Sequence, residues 1–277
     1  MTPKESTPDA SIPPFSLAFP AKPLHTPFDW NNLVVPESTA QQLDGLRLWL
    51  QHGQILREEW GLGKKGEQGY ITLFYGPPGT GKTMAASLLG KVANRDVYRI
   101  DLSLLLSKYI GETEKNLERL FGKAEDKHWI LFFDEADSLF DKRTVIGDAH
   151  DRYANQTVSY LLQRLEAYPG LVIFSFHQTI PIDEAFLHRF RSLVPFPLPA
   201  PAERLRLWEQ AFSPASEPPK KEELMRLALN YELTGCAIVN IVQYASLKAI
   251  ARQEKTIAME DLLQGIQQEL NGRSLST

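Results

Sequence analysis

One glycine-rich stretch limits what this chain can fold into more than any other segment. Its sequence is Gly76-Pro77-Pro78-Gly79-Thr80-Gly81-Lys82-Thr83, between an apolar run at 70–75 and a helix-like segment from Met84. It matches the pattern G-x-x-x-x-G-K-[ST]. It also lies between a predicted strand and a predicted helix, which is the context that makes this pattern specific. Glycines let the backbone turn successive N–H groups inward, and the helix N-terminus adds positive partial charge. The stretch predicts a phosphate-binding loop, with a plain glycine-rich turn as the alternative.

Three residues at the end of this loop are candidates for contact with a nucleotide. Lys82 is expected to reach the β- and γ-phosphates, and the Thr83 hydroxyl is expected to be a ligand of Mg²⁺. Met84 follows directly and is expected to lie against the nucleotide. We therefore predict a nucleotide site that uses Mg²⁺.

A pair of carboxylates follows a later apolar run. Four apolar residues at 130–133 are followed by Asp134 and Glu135. In a parallel sheet this order places both carboxylates at the carboxyl edge, where ligands bind. Asp134 is expected to hold Mg²⁺, and Glu135 is expected to orient and deprotonate an attacking water.

Short apolar runs alternate with helical patterns up to residue 199. Strands are predicted at 70–75, 97–101, 129–133, 171–176 and 193–196, and helices at 38–60, 84–92, 114–127 and 151–167. Ser38 is the expected N-cap of the first helix. The alternation indicates an α/β fold with a parallel sheet between layers of helices. Together with the phosphate-loop motif, it predicts the fold of a P-loop NTPase.

The composition changes after a proline-rich hinge at 195–201. No strand pattern follows, and helices are predicted near 201–212, 220–229, 235–252 and 258–270. We therefore divide the chain into a flexible or extended arm (1–27), a large nucleotide-binding domain (28–199), a small all-α lid domain (200–272) and a tail (273–277). Seven prolines in the arm are expected to keep it out of helices and sheet ladders.

Composition argues against several classes of protein. The net charge of −4 and the pI near 5.9 give no global basic field for nucleic acid. The single cysteine, Cys236, excludes an internal disulfide and indicates a reducing compartment. No apolar run approaches the roughly 18–20 residues that span a bilayer. We expect a cytoplasmic protein without membrane insertion.

The chain resembles the AAA+ ATPases in three stretches: the loop at 76–83, the strand and carboxylates at 130–137, and the segment Ser107-Lys108-Tyr109-Ile110-Gly111-Glu112-Thr113-Glu114-Lys115 between them. The likeness extends over residues 28–270 and is greatest to the clade of protein-remodelling and unfolding motors. It implies an ATPase that uses ATP and Mg²⁺, a homo-oligomeric ring that is usually a hexamer, ATP sites between subunits, and a protein or peptide substrate.

The same resemblance assigns a substrate-contacting loop. Tyr109, Ile110 and Gly111 correspond to the aromatic, hydrophobic and glycine residues of the clade's pore loop. An aromatic ring can contact many threaded side chains with little selectivity. A buried tyrosine at a helix start is the structural alternative. Polar residues at 148–152 lie where the clade has a second pore loop.

One position departs from the family's pattern. The family places an asparagine six residues before the aspartate of Ile-Asp-x-Ala, and this chain has His177 there, next to Gln178. Histidine can still form a hydrogen bond, but it is not an equivalent replacement. We therefore expect hydrolysis that is retained but slow, differently tuned or pH-sensitive.

The segment Ile182–Arg191 resembles the family's arginine-finger region. Such an arginine neutralises charge that develops on the γ-phosphoryl group bound by the neighbouring subunit. Arg189 is the first candidate and Arg191 the second. His188 stands where the family often has another basic residue.

Two further pairs of residues are implied as nucleotide contacts. Gly235 and Cys236 resemble the start of a lid helix whose small residues pack close to the nucleotide, so they would approach adenine or ribose. Val34 and Val35 would cover the other side. Helix capping is the alternative explanation for Gly235.

The leading hypothesis is an ATP-hydrolysing ring motor that unfolds, extracts or disassembles a protein partner. One alternative is a nucleic-acid ATPase of the loader type, which the acidic balance and the aromatic pore motif disfavour. Another is a slow or non-hydrolysing nucleotide-gated scaffold, which His177 favours and Glu135 disfavours. Segments 182–190 and 196–199 are similar to bacterial single-module AAA ATPases, including those that accompany phage-tail-like contractile injection particles.

Overall fold

A mostly parallel sheet is the centre of the fold. The computed structural model describes residues 15–16, 19–62, 69–102, 112–139, 159–177 and 187–274. Within these ranges six strands form one sheet: β1 (Ala21–Pro23), β2 (Tyr70–Tyr75), β3 (Val97–Ile100), β4 (Ile130–Phe133), β5 (Leu171–Phe176) and β6 (Ser192–Pro195). Their spatial order is β1-β3-β4-β5-β2-β6. β1 pairs antiparallel with β3, and the other pairs are parallel.

Helices cover the sheet and continue beyond it. Those in the described ranges are α1 (Glu37–Glu58), α2 (Lys82–Ala93), α3 (Glu112–Asp126), α4 (159–167), α5 (Pro201–Ala211), α6 (Lys221–Asn230), α7 (Gly235–Ala251) and α8 (Met259–Ser274). Short 3-10 turns lie at Trp30–Asn32 and Ala136–Leu139. None of these helices has both the length and the apolar character needed to cross a bilayer.

The two faces of the sheet pack into two separate apolar cores. Ile130 and Phe132 of β4 pack with side chains of α1 and α2, whereas Leu131 and Phe133 pack with those of α3 and α4. Successive residues of a strand face opposite sides. A central strand buried on both sides must therefore be largely apolar, as 130–133 is throughout and 171–176 is except for the buried Ser175.

The predicted α/β fold is confirmed, together with its five predicted strands. β2 and β5 have the predicted bounds, and the other three differ by at most one residue at either end. The predicted cap of α1 is wrong, because the helix begins at Glu37 and Pro36 is its N-cap. The Pro36 φ of −58° is the value that a proline ring imposes, so this residue enters the helix without strain.

The prediction that prolines exclude residues 1–27 from the sheet is wrong for β1. Pro23 pairs with Tyr98 at the outer edge of the sheet, where a missing N–H disturbs no further ladder. Phe19 is fully buried, and its ring meets that of Trp129 edge to face at 6.3 Å. Residues 19–24 therefore pack as part of the sheet.

Helices α5 to α8 share a third apolar core, in which Trp208, Ile238 and Leu262 are fully buried. The buried Arg204 guanidinium donates to the carbonyl oxygens of Ala228 at 2.7 Å and Pro199 at 2.5 Å. These bonds connect α5 to α6 and to the proline-rich hinge. The four helices predicted after residue 200 are confirmed.

Candidate functional site

The phosphate loop connects β2 to α2 and needs glycine for two reasons. Gly76, Gly79 and Gly81 have φ values of 140°, 76° and 107°. A β-carbon at Gly76 would lie 2.0 Å from the carbonyl oxygen of Phe196, and one at Gly79 would lie 2.8 Å from the Cys236 β-carbon. Conformation and space therefore both exclude larger residues. The resulting turn leads into a helix N-terminus, an arrangement that favours anions.

Lys82 is the first residue of α2, and only 5% of it is exposed. Its Nζ donates to the carbonyl oxygens of Gly76 at 2.6 Å and Pro77 at 2.9 Å. Burial lowers the pKa of this ammonium, and the negative charges of Asp134 and Asp137 oppose that shift. The loop thus holds a cation close to the carboxylates that follow β4.

A cleft of about 630 Å³ opens between the phosphate loop, the end of β4 and α7. The predicted nucleotide contacts that line it are Pro78, Gly79, Thr80, Gly81, Lys82, Thr83, Met84, Asp134, Val34, Gly235 and Cys236. Gly76 and Pro77 do not line it, although their carbonyls hold Lys82. Val35 does not line it either, and packs instead against the core next to α1 and α2.

Two predicted carboxylates line the cleft directly after β4. The Glu135 N–H donates to Asp134 Oδ1 at 3.2 Å, and the Arg99 Nε lies 3.3 Å from Asp134 Oδ2. Glu135 has a φ of 52°, in the left-handed region that residues with a side chain rarely adopt. Such a conformation in a cleft is typical of a functional position.

The donors of this cleft fit Mg²⁺. Thr83 and Asp134 both line it and supply a hydroxyl and a carboxylate oxygen. Mg²⁺ prefers oxygen ligands and usually takes only one or two carboxylates from the protein, beside phosphates and water. The structure thus brings together the two residues that the sequence assigns to the metal.

His177 comes directly after β5 and lines the same cleft as Lys82 and Glu135. Its Nδ1 lies 3.2 Å from Asp137 Oδ2. The position that departs from the family's pattern therefore belongs to the nucleotide cleft.

The start of α7 contacts the phosphate loop. The Cys236 N–H donates to the Gly79 carbonyl at 3.2 Å, and the Thr234 hydroxyl caps α7 by accepting from the Ala237 N–H at 3.3 Å. On the opposite wall, Gln210 Nε2 of α5 donates to the Asn31 carbonyl at 2.9 Å. The cleft is thus closed by segments far apart in the sequence.

The two candidate finger residues lie outside the cleft. The Arg189 guanidinium forms an ion pair with Glu166 of α4. The Arg191 guanidinium lies 5.6 Å from the centre of the Tyr70 ring. Neither arginine lines the cleft of its own subunit. The predicted pore-loop residues Tyr109, Ile110 and Gly111 lie outside the described residues, as do residues 148–152.

Sequence reasoning missed several polar residues at the site, among them Arg99, Asp137 and Gln210. A signal existed for the first two. Arg99 belongs to β3, which pairs with β4, so its side chain emerges near the same sheet edge as Asp134. Asp137 belongs to the same acidic run as Glu135. No local signal marks Gln210, because only the packing of α5 brings it to the cleft.

Comparison with known proteins gives a matching family for the segment that contains the cleft, and relatives over a larger part of the chain. Residues 72–198 match the family described as "ATPase family associated with various cellular activities (AAA)". A proteasome-activating nucleotidase of Aeropyrum pernix is 31% identical over 202 residues, which are 70% of this chain and 49% of that protein. Spastin of Danio rerio is 32% identical over 185 residues, 64% of this chain and 32% of that protein.

The peroxisomal ATPase PEX6 of Candida glabrata is 31% identical over 227 residues, 78% of this chain and 21% of that protein. The chain thus spans about half or less of the length of these relatives. The crystal structure of the FIGL-1 AAA domain superposes with a TM-score of 0.68 at 20% identity, over 89% of this chain and 85% of that one. This likeness shows the same fold.

Proposed function

Because this chain contains an AAA ATPase domain, we propose that it hydrolyses ATP between the subunits of a ring and uses the energy to remodel a protein partner. One observation carries the proposal. The cleft unites the phosphate loop, two carboxylates and a polar residue after β5, yet both finger candidates lie on another surface. A complete site would then need an arginine from a second subunit.

The residues of the cleft have distinct tasks in this proposal. The loop N–H groups and Lys82 bind the phosphates. Thr83 and Asp134 would hold Mg²⁺, which supplies charge neutralisation at the β- and γ-phosphates. Glu135 orients the attacking water and accepts its proton. Gly235, Cys236 and Val34 contact the nucleoside.

Subunit mixing tests the shared site. Arg189→Ala and Glu135→Gln each inactivate one half of the site, so each pure ring releases phosphate slowly. In mixed rings an intact Glu135 meets an intact Arg189 of the neighbour, and activity partly returns. Arg191→Ala is the matched variant that decides which arginine acts. No rescue at any ratio contradicts a shared site.

The remodelling part of the proposal is supported by the relatives and by the pore-loop resemblance. One relative is named for activating the proteasome and another is a peroxisomal ATPase. Tyr109→Ala is expected to keep phosphate release but lose any stimulation by a protein substrate. The Glu135→Gln variant, which should hold ATP, is the bait for capturing that substrate.

Domain movement completes the proposal. Residues 28–199 act as the large domain and 200–272 as a lid that closes on bound nucleotide. The separate apolar core of α5–α8 supports this division. A ring of six, a cytoplasmic location and the likeness to injection-particle ATPases stay predictions.

A nucleotide-gated scaffold is the second candidate, because His177 occupies the position where the family has asparagine. Single-turnover phosphate release separates the two functions. A scaffold binds ATP without releasing phosphate, whereas the motor releases it and the Glu135→Gln variant does not.

A further inference from the structure

Asp137 and His177 form a pair between two neighbouring strand ends. Asp137 lies in the 3-10 turn Ala136–Leu139 after β4, and His177 follows β5, the strand paired with β4. The His177 N–H donates to Asp137 Oδ2 at 3.1 Å, and the ring Nδ1 lies 3.2 Å from the same oxygen. One carboxylate therefore contacts both the backbone and the side chain of the histidine.

This geometry favours one tautomer of the imidazole. A carboxylate accepts hydrogen bonds, so we expect Nδ1, the nitrogen that faces it, to carry the proton. His177 lines the cleft, with Lys82, Asp134 and Glu135 among its other charged residues. Nε2 is then the nitrogen left for a molecule in the cleft, and in the neutral ring it carries a lone pair.

We propose that Asp137 is a positioning residue that holds His177 as the Nδ1-protonated tautomer, with Nε2 as an acceptor for the attacking water. The inference rests on the proposed hydrolysis. The water oxygen bonds to the γ-phosphorus as the bond to the β–γ bridging oxygen breaks, and ADP leaves. One water proton passes to Glu135, while the other, hydrogen-bonded to Nε2, stays on the phosphate.

Spectroscopy of the nucleotide-free protein tests the tautomer directly. Long-range ¹H–¹⁵N spectra of ¹⁵N-histidine protein, near pH 8, resolve the ring nitrogens of the six histidines. His177→Ala assigns the signal. We expect Nδ1–H in the wild type and loss of that pattern in Asp137→Ala. An Nε2–H pattern in the wild type overturns the proposal.

A double-mutant cycle tests whether Asp137 acts through His177. Asp137→Ala is expected to lower kcat about tenfold with little change in KM. In the His177→Ala background the same change is expected to have less than about a twofold effect, because the two residues act as a unit. Equal losses in both backgrounds overturn the proposal.

Two controls distinguish a role of Asp137 in positioning His177 from a general effect of its removal on folding. Asp137→Asn retains an oxygen that accepts from Nδ1–H, so it is expected to recover part of the kcat. Asp44→Ala removes an exposed carboxylate paired with Arg47 on α1 and is expected to leave kcat unchanged. If Asp137→Asn is as slow as Asp137→Ala, the proposal fails. If the wild type releases no phosphate, the proposed function fails, while the spectra still test the pair.

Discussion

Single residues of the phosphate loop determine how closely its backbone approaches the start of α7. Gly79 is the clearest case, because its φ of 76° disfavours any side chain and a β-carbon would press on Cys236 and Thr234. The Thr234 hydroxyl would lie 2.9 Å from that carbon. A substitution there must therefore move either the loop or the start of α7.

We expect Gly79→Ala to weaken nucleotide binding about tenfold or more, because the added methyl group distorts the cradle and displaces α7. Titration with a fluorescent ADP measures the loss. Gly122→Ala is the matched control, since a β-carbon there meets nothing within 4 Å. That variant should bind normally and gain up to about 1 kcal/mol of stability in α3. Equal affinities for the two variants would contradict the prediction.

Arg99 forms an ion pair with Asp134, the candidate metal ligand. Its guanidinium contacts Asp134, and 47% of its side chain is exposed. Only 12% of the Asp134 side chain is exposed, so the pair is half-buried. A contribution of about 1 kcal/mol, the upper end for exposed pairs, corresponds to about a fivefold change in an equilibrium. A cation at this place competes with a metal ion for the same oxygen.

We therefore expect Arg99→Ala to reach half-maximal ADP binding at a lower Mg²⁺ concentration than the wild type, by up to about fivefold. ADP titrations at graded Mg²⁺ concentrations give the midpoints. Arg47→Ala removes a comparable surface pair on α1 and should leave the midpoint unchanged. A midpoint that stays the same or rises in Arg99→Ala would show that the arginine does not compete.

At the level of elements, β1 shows that a proline-rich segment can form the edge strand of a sheet. The backbone of residues 21–23 covers the open side of β3, and the Leu24 N–H extends the pairing to the Val97 carbonyl at 2.8 Å. Covering an edge prevents pairing with other chains. The fully buried Phe19 anchors the segment beside Trp129.

We expect Phe19→Ala to destabilise the fold by about 3–5 kcal/mol, the usual cost of removing a buried aromatic ring. Urea denaturation measures the change. Phe15→Ala is the control, because that ring is 38% exposed and lies under the Lys22 ammonium at 3.8 Å. It should cost less than about 1 kcal/mol. A similar loss for both variants would mean that β1 is not anchored by Phe19.

The elements differ in how well the sequence predicts them. β4 and β5 were predictable because burial on both faces demands a nearly continuous apolar run, which Ser175 alone interrupts in β5. β1 was not predictable, because three residues that end in proline carry no strand pattern. Its position depends on pairing with the open edge of β3 and on the burial of Phe19. Pro36 was missed as a cap because its side chain gives no hydrogen-bonding signal.

The same contrast holds for the site. Lys82, Thr83, Asp134 and Glu135 come from two contiguous segments, so spacing alone placed them in one cleft. Arg99 reaches the cleft through strand pairing, and Gln210 and Val35 depend on how α5 and the segment before α1 pack. Such packing has no local pattern in the sequence. It places Val35 against the core next to α1 and α2, so a contact of Val35 with the nucleotide stays a prediction.

For the molecule as a whole, helices α5 and α7 meet the sheet part of the chain at the nucleotide cleft. Cys236 is the single cysteine of the chain, it is exposed, and it lines the cleft. Its N–H donates to the Gly79 carbonyl of the phosphate loop. The rate at which this thiol reacts therefore measures how far α7, the phosphate loop and any bound ligand shield it from solvent.

We expect saturating ADP with Mg²⁺ to slow the reaction of Cys236 with a maleimide about tenfold, because a ligand in such a cleft is largely enclosed by its walls. Mass spectrometry of the intact chain follows the reaction without interference, since no other thiol is present. Lys82→Ala, which lacks the cation that binds the phosphates, should react equally fast with and without ADP. If the wild type reacts at one rate under both conditions while a fluorescent ADP confirms saturation, the nucleotide does not reach the start of α7. Protection in the wild type alone would show that the bound nucleotide shields the start of α7.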